Sequence, residues 1–121
     1  MIDIGNILWS LIPPKIEPRF IGDLPAVATE GTTCLVYSSN ASTQFFGMNT
    51  SIYRPLAKFV TRTSKYTEGV ETMDLISKSL RDYVGDDVVI GVNQVGSPIY
   101  LGRNSEKLHE FQITFEILTK E

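Results

Sequence analysis

A chain of 121 residues, 42% hydrophobic and 21% charged, is long enough for one domain whose core needs neither metal nor disulfide. Its net charge of −3 excludes a protein whose main business is electrostatic capture of nucleic acid. A single cysteine, Cys34, excludes an intrachain disulfide, and a single histidine, His109, excludes metal sites built on paired imidazoles.

The opening Met1-Ile2-Asp3-Ile4-Gly5-Asn6 lacks the basic start of a signal peptide, and the apolar run from Ile7 to Ile12 is too short to span a bilayer. The expectation is a chain made in the cytoplasm, with no membrane partner. From Asp3 to Leu11 the spacing of Ile4, Ile7, Leu8 and Leu11 predicts a short N-terminal helix, which Pro13-Pro14 must end. Residues 13–31 carry four prolines with Gly22 and Gly31, so they read as an extended connection anchored by Ile16, Phe20, Ile21 and Leu24. Thr32 to Ser38 is β-branched and aromatic, a strand signal, and Ala57 to Thr63 repeats it. Between them, Ser38 to Ser51 reads as a long polar loop that nevertheless contains Phe45, Phe46 and Met48.

The clearest helix is predicted over about 67–83. Thr67 is placed to cap it, Glu68, Glu71 and Asp74 lie towards its positive end, and Lys78 and Arg81 lie towards the other. Met73, Ile76, Leu80 and Tyr83 form one apolar stripe, with Gly85 as the stop signal. Val88–Val92 and Pro98–Leu101 read as two strands around a turn at Gln94-Val95-Gly96-Ser97. Then Glu110–Leu118 alternates, with Phe111, Ile113, Phe115 and Ile117 on one face. The sum is a single α+β domain over residues 1–121. It consists of a mainly antiparallel β-sheet packed by one long helix, plus the short N-terminal helix.

Nothing assembles into a catalytic set. Cys34 sits in the apolar run Cys34-Leu35-Val36-Tyr37, where a small buried side chain is the expected role. The vicinal Asp86-Asp87 reads as a solvated turn, and no glycine-rich phosphate-binding motif occurs. The expectation is therefore no enzyme, no cofactor and no metal site. Arg54, Lys58 and Arg62 share strand parity and make a basic stripe of about 25 Å if the strand is continuous, facing either solvent or a partner. Gln44, Phe45, Phe46 and Met48 are the candidate interface residues, since aromatics and methionine are enriched at the centres of protein interfaces.

Four segments carry a family resemblance. Phe59-Val60-Thr61-Arg62-Thr63-Ser64-Lys65-Tyr66, followed at once by a helix, is similar to the strand–arginine–aromatic–helix unit of the tail-terminator proteins of long-tailed bacteriophages. Some members of that family are named minor capsid proteins. Ser97-Pro98-Ile99-Tyr100-Leu101-Gly102-Arg103-Asn104, with Glu110-Phe111-Gln112-Ile113-Thr114-Phe115, resembles that family's turn and closing strand. Ile21-Gly22-Asp23-Leu24-Pro25-Ala26 before a strand is also similar, whereas Ser38–Tyr53 is longer than the family's pattern. The resemblance spans about 100 residues and implies a homo-oligomeric ring, usually hexameric, in the virion at the join between tail and head. Its partners would be the tail tube protein and a head connector protein, with DNA passing through the lumen without sequence-specific binding. Arg54, Lys58 and Arg62 would then face the lumen or a partner. The alternative is a small-molecule-binding or regulatory α+β domain of non-viral origin, with a pocket between helix and sheet.

Overall fold

A computed structural model describes residues 4–14, 16, 18–22, 29–37, 42–44, 51–53, 55–81, 83, 85 and 89–120. In chain order these give α1 (Ile4–Ser10), β1 (Arg19–Ile21), β2 (Gly31–Tyr37), β3 (Ser42–Gln44), β4 (Ser51–Tyr53), β5 (Leu56–Thr63), α2 (Tyr66–Arg81), β6 (Val89–Arg103) and β7 (His109–Lys120). The class is α+β. The sheet is mixed: β1 runs parallel to β2, whereas β2·β5, β3·β4, β4·β7, β5·β7 and β6·β7 are antiparallel. The parallel pair falls in the proline-rich connection, which shows no strand periodicity to read.

β4 and β5 act as one strand. Tyr53 faces Thr119 and Leu56 faces Glu116, three steps along both strands, so the register against β7 is unbroken. Pro55 lacks an N–H and interrupts the ladder on one side only, because its carbonyl still accepts from Ile117 N at 2.9 Å. β2 and β3 form the matching arm, advancing five residues between Tyr37↔Leu56 and Ser42↔Tyr53 while the other advances three. The predicted loop over 38–51 is thus partly the end of a long hairpin. Its strand pieces are short and polar, held by pairing rather than by an apolar pattern.

β6 also corrects the sequence reading. Instead of two strands around a turn, it is one strand of 15 residues on which Gly96-Ser97-Pro98 is a bulge. Between Val95↔Thr114 and Ile99↔Gln112, β6 advances four residues against two on β7, which pairs on both sides of the irregularity. The turn into β7 follows at Asn104, where Gly102-Arg103-Asn104-Ser105 also reads as a turn in the sequence. Its Oδ1 accepts from Glu106 N (2.9 Å) and Leu108 N (3.1 Å), and Asn104 N donates to Leu108 O (2.9 Å).

Both helices cover the same face of the sheet. α2 buries Gly69, Met73, Ile76, Ser77 and Leu80, the stripe expected of a helix lying on a sheet. It begins at Tyr66, so Thr67 lies inside the first turn rather than capping it, and it ends at Arg81. Opposite it lie Ala57 and Phe59 of β5 and Phe111, Ile113, Phe115 and Ile117 of β7, all buried. In α1 the buried side is Leu8 and Trp9, with Ile12 just beyond; Ile4, Ile7 and Leu11 pack at the rim. The predicted stripe is rotated because the indole of Trp9 turns inward, edge-on to Phe59 with ring centroids 5.3 Å apart. Ile21, expected as an anchor, is half exposed, and Leu24 lies outside the described residues.

Gly69 shows how closely α2 sits on the sheet. A Cβ there would stand 2.2 Å from Cε2 of Phe111, so the absence of a side chain lets the first turn of α2 rest on that ring. At the other end, Ser77 Oγ donates to Gln94 Oε1 at 2.5 Å and ties α2 to β6.

Candidate assembly surface

Three of the stretches that carry the resemblance, 59–66, 97–104 and 110–115, meet at one end of the sheet, whereas 21–26 lies mostly outside the described residues. Tyr66 opens α2, Tyr100 lies on β6, and His109 and Phe111 lie on β7. The Tyr66 ring centroid stands 5.2 Å from Tyr100, 5.4 Å from Phe111 and 5.9 Å from His109. Tyr100 Oη and His109 Nδ1 are 2.8 Å apart and share a hydrogen bond, which fixes the imidazole. Phe111 and His109 are buried, but Tyr66 is 49% and Tyr100 42% exposed. The inner half of this cluster is core, and the outer half is exposed aromatic surface.

β6 adds exposed apolar side chains of its own. Val95, Ile99 and Leu101 are each about half exposed, and among the described residues β6 is paired only with β7. Fifteen residues at the chain-wide charged fraction of 21% would carry about three charges. β6 carries one, Arg103 at its end. An uncharged, apolar, unpaired edge is what proteins normally suppress unless something covers it.

The predicted basic stripe is placed only in part. Lys58 and Arg62 lie on the face of β5 turned away from the helices, and Arg54 lies outside the described residues. That face is mixed in charge: Glu110 stands directly across from Arg62, with Nε and Oε2 3.8 Å apart, and Glu116 stands across from Leu56. Gln44 ends β3; Phe45, Phe46 and Met48 lie outside the described residues, as do Asp86 and Asp87.

One hollow of about 220 Å³ opens beside the start of α2, lined by Glu30, Thr32, Thr61, Thr63, Glu68 and Thr72 among others. Its hydroxyls are already committed. Thr32 and Thr61 bond to each other at 2.6 Å, Thr63 donates to Lys65 O at 2.8 Å, and Thr72 donates to Glu68 O at 2.8 Å. Among the described residues no group of three or more His, Cys, Asp or Glu side chains is placed to hold a metal ion, and no helix is long and apolar enough to cross a membrane.

Cys34 is fully buried on β2, and burial pushes its thiol up to about 12 from an ordinary 9.0. The folded pKa lies above the unfolded one, so the contribution of the neutral thiol is complete below pH 9 and is lost as pH rises towards 12. Wild-type stability should therefore fall more steeply than that of Cys34→Ala between pH 9 and pH 11. The native thiol should stay unmodified by maleimide until denaturant is added. Rapid native labelling would place Cys34 at the surface.

Sequence reasoning missed Tyr66, Tyr100 and the β6 edge as a site. The available signal was the charge-free run from 89 to 102, masked by a glycine–proline pattern that reads as a turn. Compared with known proteins, the chain matches no protein-family model and no curated relative.

Proposed function

We propose that this protein is a structural assembly protein that closes into a ring, terminates the tail tube of a long-tailed bacteriophage and supplies the surface to which the head joins. One observation carries the assembly reading: the uncharged β6 edge and the exposed faces of Tyr66 and Tyr100 leave apolar surface at the sheet's end. The tail-terminator part rests on the resemblance of segments 59–66, 97–104 and 110–115, whose residues converge on that surface. A ring acts by geometry: a head-to-tail interface whose rotation closes stops at a fixed copy number, and one face of the ring stops the tube. The mixed charge around Arg62 and Glu110 suits a conduit that lets DNA slide past without holding it.

The alternative, a small-molecule-binding or regulatory domain, has its foothold in the threonine-lined hollow. Because the protons of those hydroxyls are already given to one another and to the backbone, a ligand that accepts from them would have to break structural bonds, and only a donor ligand could use them as they stand.

The test is assembly. Purified protein imaged by electron microscopy should give closed rings. Cells producing phage without this protein should accumulate overlong tails lacking heads, and the wild-type chain should restore them. Phe45→Ser with Phe46→Ser should keep the wild-type melting curve and fail to restore joining, because buried aromatic anchors contribute about 2 kcal/mol or more each to an interface. Normal tails without the protein would end the tail-terminator reading. A sequence-dependent nanomolar complex with duplex DNA at ~0.15 M salt would do the same.

A further inference from the structure

We infer that the β6 edge is the seat of a second copy of this chain, which adds the outer edge of its β3 strand there and so extends the sheet from one copy into the next. This rests on the ring reading and names the interface that closes it.

The sheet ends differently on its two sides. At one end β6 presents a run of roughly 50 Å at ~3.3 Å per residue, without a charge from Val89 to Gly102. The bulge and Pro98 divide it, and a register shift between Val89 and Gly91 leaves 91–95 as its longest regular stretch. Val95 and Ile99, both half exposed, flank that division on the face away from the helices.

At the other end β1 is sealed. The Trp9 indole donates to Phe20 O at 3.1 Å, and the Arg19 guanidinium turns back onto carbonyls of α1 and the segment after it. These are the devices that keep an edge strand from pairing. Farther along the same side, β3 pairs with β4 and, among the described residues, with nothing beyond. Ser42-Thr43-Gln44 carries no charge either. A ring with one face for a tube and another for a head needs unlike surfaces on each copy, so β6 against β6 is excluded and β3 is the remaining complement. The backbone pairing supplies register. The apolar side chains of Val95, Ile99, Tyr100 and Leu101 supply the area that a three-residue ladder lacks.

The experiment uses the full chain. Light scattering on wild type should give a single mass that is a multiple of 13.5 kDa. Val95→Lys with Ile99→Lys places two charges on exposed positions of the edge, and should give monomer with a wild-type circular dichroism spectrum and melting temperature. Independently, Thr43→Cys with Val95→Cys treated with a short bismaleimide should give a ladder of cross-linked species ending at the ring's copy number. Cys34 stays silent because it is buried. Val95→Cys alone should give no cross-linked dimer. Rings that survive the two lysines overturn this interface and leave the ring reading standing. Cross-linked dimers from Val95→Cys alone replace it with two-fold β6 pairing. A wild-type chain that remains monomeric overturns the ring itself.

Discussion

Phe59→Ala is expected to lower the free energy of unfolding by about 3–5 kcal/mol, because it removes a fully buried ring and leaves a cavity that the neighbours cannot close. Phe59 lies at the junction of three elements. Trp9 of α1 meets it edge-on at 5.3 Å, and Phe115 of β7 meets it edge-on at 6.0 Å on the other side. Each such pair contributes about 0.5–1.5 kcal/mol beyond the area it buries. Small domains carry only about 5–15 kcal/mol in total, so the variant should be marginal at 37 °C. Urea denaturation of wild type, Phe59→Ala and Phe59→Leu measures it. Phe59→Leu should recover at least half of the loss, as a side chain that keeps most of the volume. Equal losses for both variants would mean that ring geometry, rather than filled space, holds the centre of the core. Leu80, also fully buried on α2, belongs to the same class of site, whereas Leu75 packs only at the rim.

α2 and β7 were legible because each repeats its own period, whereas α1 was legible as a helix but not in its buried side. Met73, Ile76 and Leu80 recur at helical spacing, and Phe111 to Ile117 alternate, so burial on one side follows from spacing alone. β6 was not legible, for the opposite reason. Gly96-Ser97-Pro98 is a turn by composition, and only β7, pairing with Val95 on one side and Ile99 on the other, makes it a bulge. Whether a glycine–proline segment turns or bulges is decided by the partner strand, which lies elsewhere in the chain. β3 and β4 were hidden similarly: three residues each have no period, and β4 exists because it continues the β5 register along β7.

The candidate surface shows the same division. That Tyr66, Tyr100 and Phe111 come together depends on the offset of the β6·β7 hairpin, which the Asn104 turn and the register shift between Tyr100 and Gly102 set. Their residue types were visible beforehand; their proximity was not. The charge-free run of β6 was visible as well, but an absence of charge has meaning only once the segment is known to be an exposed edge.

Arg19→Ala should cost about 2–4 kcal/mol, an unusual loss for an arginine in a three-residue strand. Its guanidinium is the clasp between α1 and the sheet. Nε donates to Ile16 O at 2.9 Å, Nη1 to Trp9 O at 2.8 Å, and Nη2 to Ile12 O at 3.0 Å, while the guanidinium carbon lies 4.7 Å from the centroid of the Trp9 ring. These carbonyls belong to the end of α1 and the proline-rich segment after it; Trp9 O also accepts from Ile12 N at 3.3 Å, but Pro13, Pro14 and Pro18 bring no N–H to this segment. Removing the fork leaves several carbonyls short of a partner in a partly buried place. Arg19→Lys keeps the charge but has one donor centre in place of a planar fork, so it should recover less than half of the loss. Trp9 is the single tryptophan, so its fluorescence reports on α1 while far-ultraviolet circular dichroism is read alongside it. In Arg19→Ala the two denaturation curves should shift together, because Trp9 packs on Phe59 at the centre of the core and α1 cannot leave without opening it. If fluorescence shifts well before the dichroism, α1 is instead a detachable flap held by this one side chain, and β1 behind it becomes a second edge open to pairing.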